Sequence, residues 1–87
     1  MSLNLTGIIE IDLHGLRTEE AKKKIDSALN NAGSGTYRIR CIHGYHGGVR
    51  IKSMIREEYS YGREPRIKRI EGGGNDGITE LVLKEYY

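Results

Sequence analysis

The sequence predicts an α/β two-layer sandwich, a mixed four-stranded sheet with two helices in the order β-α-β-α-β-β. Two stretches of helical period each follow a β-branched run, and two further β-like runs flank a glycine-rich segment near the end of the chain. At 87 residues the chain is expected to be one domain spanning 1–87, with its core at about 8–85. A chain of this size buries roughly 60% of its unfolded surface, enough for one core and not two.

Ile8-Ile9-Glu10-Ile11-Asp12 is the first strand, bounded by Gly7 and by the His14-Gly15 turn. From Thr18 the period changes, and Ala21, Ile25, Ala28, Leu29 and Ala32 fall on one helical face with Lys22, Lys23, Lys24 and Asp26 off it. Thr18 is the expected N-cap, with Glu19 and Glu20 in the first turn and Gly33 at the end. Thr36 to Ile42 alternates, Tyr37, Ile39 and Cys41 on one face and Arg38 and Arg40 on the other, so a second strand with a basic outer face is expected. Ile51, Met54, Ile55 and Tyr59 restore the helical period from about Val49 to Ser60, closed by Gly62 and Pro65. Arg66 to Glu71 and Ile78 to Leu83 read as a hairpin around the loop 72–77.

Composition narrows the function classes. No apolar run approaches the ~20 residues of a membrane-spanning helix, no export signal opens the chain, and the single Cys41 cannot form an internal disulfide. A cytoplasmic monomer with no membrane role is expected. The net charge of +2 is unevenly spread: −1 over residues 1–35, +6 over 36–70 and −3 over 71–87. The middle third is a footprint for a polyanion, or ordinary solvated surface; charge alone does not decide.

Two strands end in the same dipeptide. IEIDLHGL at 9–16 and RIRCIHGY at 38–45 coincide at His14-Gly15 and His43-Gly44. In open α/β sheets the carboxyl ends of parallel strands and the amino ends of the following helices share one crevice, where glycines let an anion approach unpaired N–H groups. Gly15, Gly44, Gly47 and Gly48 fit a phosphate cradle, with Arg50 and Lys52 at the start of the second helix. Asp12 and His14, two apart, share a face of the strand. Asp12 can orient the imidazole, raise its basicity or help hold a divalent metal; equally, it can cap the turn while His14 satisfies a local carbonyl. His14 and His43 across a crevice can serve as base and acid, or His43 can be a partly buried strand-end residue. Tyr45 can stack on a base or ribose, or pack. His46 is a loop residue beside them. No Cys/His spacing resembles a zinc site, and Cys41 reads as core.

DLHG at 12–15, EEA at 19–21 and IHG at 42–44 followed by a glycine turn and a helix together resemble an Smr (small MutS-related) domain, over nearly the whole chain. The resemblance implies a sandwich similar to the C-terminal domain of translation initiation factor 3 and an endonuclease or nicking activity on DNA or on messenger RNA at stalled ribosomes. Carried over by position, Asp12, His14 and His43 are the expected catalytic residues. Gly15, Gly44, Tyr45, His46, Gly47, Gly48, Arg50, Lys52, Arg38 and Arg40 are expected to bind phosphate and nucleic acid. His46 stands where the family usually has glycine, and Arg17 replaces its usual small helix cap. The expected function is nicking of phosphodiesters, RNA slightly favoured over DNA, with the cofactor unknown and a divalent metal left open. The alternative is a non-catalytic module that binds nucleic acid or the ribosome.

Overall fold

Periodicity and burial coincide in the helices. The computed structural model describes residues 7–45, 48–60 and 62–84. Its elements are β1 (Ile8–Asp12), α1 (Thr18–Asn31), β2 (Arg38–Ile42), α2 (Val49–Tyr59), β3 (Arg69–Gly72) and β4 (Ile78–Val82). Helix α1 buries Ala21, Ile25, Ala28 and Leu29, and α2 buries Ile51, Met54, Ile55 and Tyr59. Fully burying each Ile or Leu contributes about 1.5–3 kcal/mol. Both helices lie on the sheet face that carries Ile39, Cys41 and Leu81, with Ile9, Ile11 and Ile70 packed at its margin. Burial pushes the Cys41 thiol up to about 12, so it is an inert part of the core.

The sheet order is β1-β2-β4-β3. β1 and β2 are parallel, as a βαβ unit requires, and β4 is antiparallel to both β2 and β3. The second strand of the hairpin is thus inserted between β2 and the first. This brings Gly77 and Thr79, on and just before β4, beside the end of β2.

Three expected boundaries shift, each for a local reason. Arg17, not Thr18, is the N-cap of α1, and its N–H donates to Glu20 Oε1 at 3.0 Å. β2 starts at Arg38 because the Tyr37 N–H donates to the Gly7 carbonyl at 2.8 Å and Thr36 closes a turn on Gly33. β3 starts at Arg69 and not Arg66. Glu64 accepts both the N–H and the guanidinium of Arg66, and the Ile67 N–H closes on the Glu64 carbonyl at 3.0 Å.

The expected basic outer face of β2 is corrected outright. Arg38 donates to Glu80 at 2.6 Å and Glu71 at 3.1 Å, and Arg40 to Glu80 at 3.0 Å and Glu10 at 3.5 Å. Arg69 adds a 2.6 Å bond to Glu71. The helix-free face is therefore a ladder of alternating charge, and the hydrogen bonds donated to Glu80 raise both arginine pKa values further. These two arginines are engaged in holding four strands together. Glu80 is buried between them. Replacing it with alanine should destabilise the fold by about 1–3 kcal/mol in urea denaturation, because two partly desolvated guanidinium groups lose their shared acceptor.

Candidate nucleic-acid interface

Both His-Gly turns leave the sheet at one edge. Asp12 opposes Ile42 in the last parallel pair, and the Leu13 N–H donates to the Ile42 carbonyl at 2.7 Å. Leu13 itself is fully buried, which pins the first turn to the core while its neighbours on either side stay exposed. Gly15 and Gly44 reverse the chain at φ values of +77° and +84°, the left-handed region that glycine enters without steric cost. A Cβ on Gly44 would lie 3.7 Å from the Cβ of His14, so the two turns lie side by side.

Asp12 makes two contacts with His14. Its Oδ1 accepts the His14 backbone N–H at 3.2 Å, capping the turn, and lies 2.6 Å from His14 Nδ1, orienting the ring. The hydrogen bond from the ring, then that from the backbone, lowers the Asp12 pKa, so the carboxylate stays ionised and Nδ1 carries the proton. Nε2 is left as the reactive nitrogen. The two side chains are 71% and 59% exposed, and Nε2 has no partner among the described residues.

His43 is placed differently. It is 1% exposed; Thr79 Oγ1 lies 2.8 Å from Nε2 and the Gly44 carbonyl 3.2 Å from Nδ1. The Gly44 carbonyl can only accept, so Nδ1 donates and Nε2 receives the Thr79 hydroxyl proton. The expectation that His14 and His43 exchange protons with a substrate as a pair is corrected: His43 is enclosed and both its nitrogens are committed. It positions the Gly44 turn. Desolvation chiefly, with Lys52 nearby, lowers its pKa from the ordinary 6.5.

That shift has a consequence for stability. A histidine whose folded pKa lies below its unfolded one takes up protons on unfolding. Its stabilising contribution is complete above pH 6.5 and is lost as pH falls toward the folded value. Melting temperature should therefore drop between pH 7.5 and 5.5, and His43→Gln should flatten the profile in that window. An unchanged slope in the variant would contradict the placement of this ring.

The second turn is built by close approach. The His43 and Gly44 N–H groups both donate to the Gly77 carbonyl, at 2.9 and 3.0 Å. The hairpin loop is itself ordered by Asn75, whose Oδ1 accepts the Gly77 N–H at 2.8 Å. Gly48 is the N-cap of α2 and offers no side chain to its first turn. The N–H groups of Val49, Arg50 and Ile51 precede the first intrahelical bond, Lys52 N–H to the Gly48 carbonyl, and face the rim. Tyr45 is 58% exposed, Arg50 is exposed and Lys52 half-buried. A pocket of about 330 Å³ opens here between Gly44, Tyr45, Val49, Lys52 and Asp76. His46 and Gly47 lie outside the described residues.

Sequence reasoning missed Thr79, and it placed Asp76 and Gly77 only within the loop 72–77. The one available signal was a threonine in the core-facing register of β4, which must find a hydrogen-bond partner. Among the described residues no three His, Cys, Asp or Glu side chains converge as metal ligands. Asp12 and His14 supply at most two, already bonded to each other.

A parallel βαβ unit followed by an inserted hairpin, with an exposed Asp-His pair and a glycine turn on one edge, defines an α/β domain with an open crevice at the carboxyl end of its parallel strands. The chain belongs to the Smr domain family, whose model matches residues 11–84. It is 34% identical over 79 residues to Endonuclease MutS2 of Symbiobacterium thermophilum and 34% identical over 82 residues to Endonuclease MutS2 of Carboxydothermus hydrogenoformans, each match covering 87% of this chain. The chain spans about a tenth of the length of these curated relatives, 10% in both. The crystal structure of the Smr domain of Thermus thermophilus MutS2 superposes with a TM-score of 0.74 at 31% identity, over 87% of this chain and 98% of that one. Among the described residues no helix is long and apolar enough to cross a membrane.

Proposed function

We propose that the domain binds nucleic acid along the rim formed by its two glycine turns and cuts the phosphodiester backbone, RNA in preference to DNA. The observation that carries this reading is the exposed Asp12–His14 pair, 2.6 Å apart, with Nε2 open to solvent beside the Gly44 turn. Asp12 positions the ring and His14 is the proton-transfer group. The first-turn N–H groups of α2, Gly44, Gly48, Arg50 and Lys52 hold phosphate, with Gly15 giving close access. The similarity to proteins named endonucleases supports the reaction class.

Among the described residues His14 presents the one accessible imidazole, which favours RNA. A ribose carries its own nucleophile, so a single base suffices: Nε2 takes the 2′-hydroxyl proton, O2′ bonds to phosphorus, the P–O5′ bond breaks and the leaving O5′ is protonated. The ends must then be a 2′,3′-cyclic phosphate and a 5′-hydroxyl. End analysis of a cleaved, labelled RNA checks this, alongside the same oligonucleotide carrying 2′-O-methyl groups, which should resist. Cleavage of the methylated strand, or 5′-phosphate ends, would rule out this route.

The burial of His43 favours a second reading, in which the rim binds RNA or the ribosome without cutting. It predicts salt-sensitive binding, weakened by Arg50→Glu, with the strand left intact.

A further inference from the structure

The pocket beside the rim has a mixed character that a phosphate cradle does not need. Lys52 and Asp76 both line it, and neither side chain makes an ion pair or hydrogen bond with a described residue. Elsewhere arginine and carboxylate are tied together: Arg38, Arg40 and Arg69 to Glu10, Glu71 and Glu80, and Arg66 to Glu64. An unneutralised carboxylate at the pocket wall repels phosphate, yet it is an acceptor that a nucleobase edge can satisfy. Tyr45 and Val49, 58% and 66% exposed, are the only large hydrophobic side chains among the described residues left so open, and both line the same pocket. A ring and a branched aliphatic side chain are what the face of an unstacked base requires.

We propose that this pocket receives one unpaired guanine of the bound strand, stacked against Tyr45 and read on its Watson–Crick edge by Asp76 and Lys52. Guanine presents there an acceptor, O6, followed by two adjacent donors, N1–H and N2–H₂. Lys52 supplies the donor for O6, and the two oxygens of Asp76 accept from N1 and N2. Uracil sets carbonyls on either side of its single donor, which the carboxylate repels. Adenine and cytosine place an unprotonated ring nitrogen beside the amino group and offer one donor only. The pocket thus fixes which nucleotide lies next to the bond addressed by His14, and it requires a single strand, because a paired guanine has no free edge.

This inference rests on the nucleic-acid reading of the rim, and binding measured with a non-cleaving protein separates the two. Fluorescence anisotropy of labelled ten-nucleotide RNAs with His14→Ala, one carrying a central guanine in a uridine background and one all uridine, should give about tenfold tighter binding of the first, within the range of one good bidentate base contact. Asp76→Asn should bring the two affinities together, the guanine RNA binding more weakly and the uridine RNA no more weakly than before, and Tyr45→Ala should weaken the guanine RNA more than Tyr45→Phe. Equal affinities of the unsubstituted pocket for both RNAs, or discrimination that survives Asp76→Asn, would overturn the guanine subsite and leave the rim reading standing. No binding of either RNA would overturn both.

Discussion

Replacing His14 with alanine should lower RNA cleavage by about 100- to 10,000-fold, the range that a positioned acid or base contributes. The fold should hardly register the change. The side chain is 71% exposed and makes no contact with the buried cluster, and such surface substitutions usually cost less than about 0.5 kcal/mol. Asp12→Asn separates the two functions of the carboxylate. The amide oxygen can still accept the His14 backbone N–H, so the turn is retained, but the imidazolium formed on proton uptake loses its counter-charge. Cleavage by Asp12→Asn should fall between wild type and His14→Ala, with melting temperatures alike. Equal cleavage by all three proteins would assign the activity to a contaminant.

What the sequence revealed and what it concealed follow from the range of the interactions. The Asp12–His14 pair was legible because a strand repeats every two residues, and Leu13 between them faces the core by the same alternation. The helices were legible because their apolar stripes recur within a few turns. His43 was not, because its environment is made by Thr79 and Gly77, more than thirty residues away, and depends on β4 entering the sheet between β2 and β3. The same insertion sets Glu80 between Arg38 and Arg40 and converts an apparent basic face into an ion-pair ladder. Periodicity locates a side chain on a face. It does not say which strand lies alongside, and at this site that neighbour decides which histidine is accessible.

The largest structural effect is expected from the smallest change, Gly48→Ala. Backbone strain is not the reason, since Gly48 has φ −79° and ψ −10°, angles any residue adopts. The obstacle is close approach: a Cβ there would sit 2.0 Å from the Gly44 carbonyl oxygen and 2.6 Å from that of His43. Neither carbonyl can retreat, because the N–H groups of the same two residues are fixed to Gly77 and the His43 ring is closed in by Thr79. The loss should be about 3 kcal/mol or more in urea denaturation, at the upper end of overpacking costs. Gly15→Ala makes the informative comparison. A Cβ there meets nothing within 4 Å, so only its φ of +77° is penalised, by about 1–2 kcal/mol. Whatever fraction of Gly48→Ala remains folded must part the start of α2 from the Gly44 turn, and should bind RNA more weakly than Gly15→Ala at equal folded concentration. If Gly48→Ala instead matched the wild-type midpoint, the start of α2 would not be packed on the Gly44 turn, and the phosphate cradle would lose its physical basis.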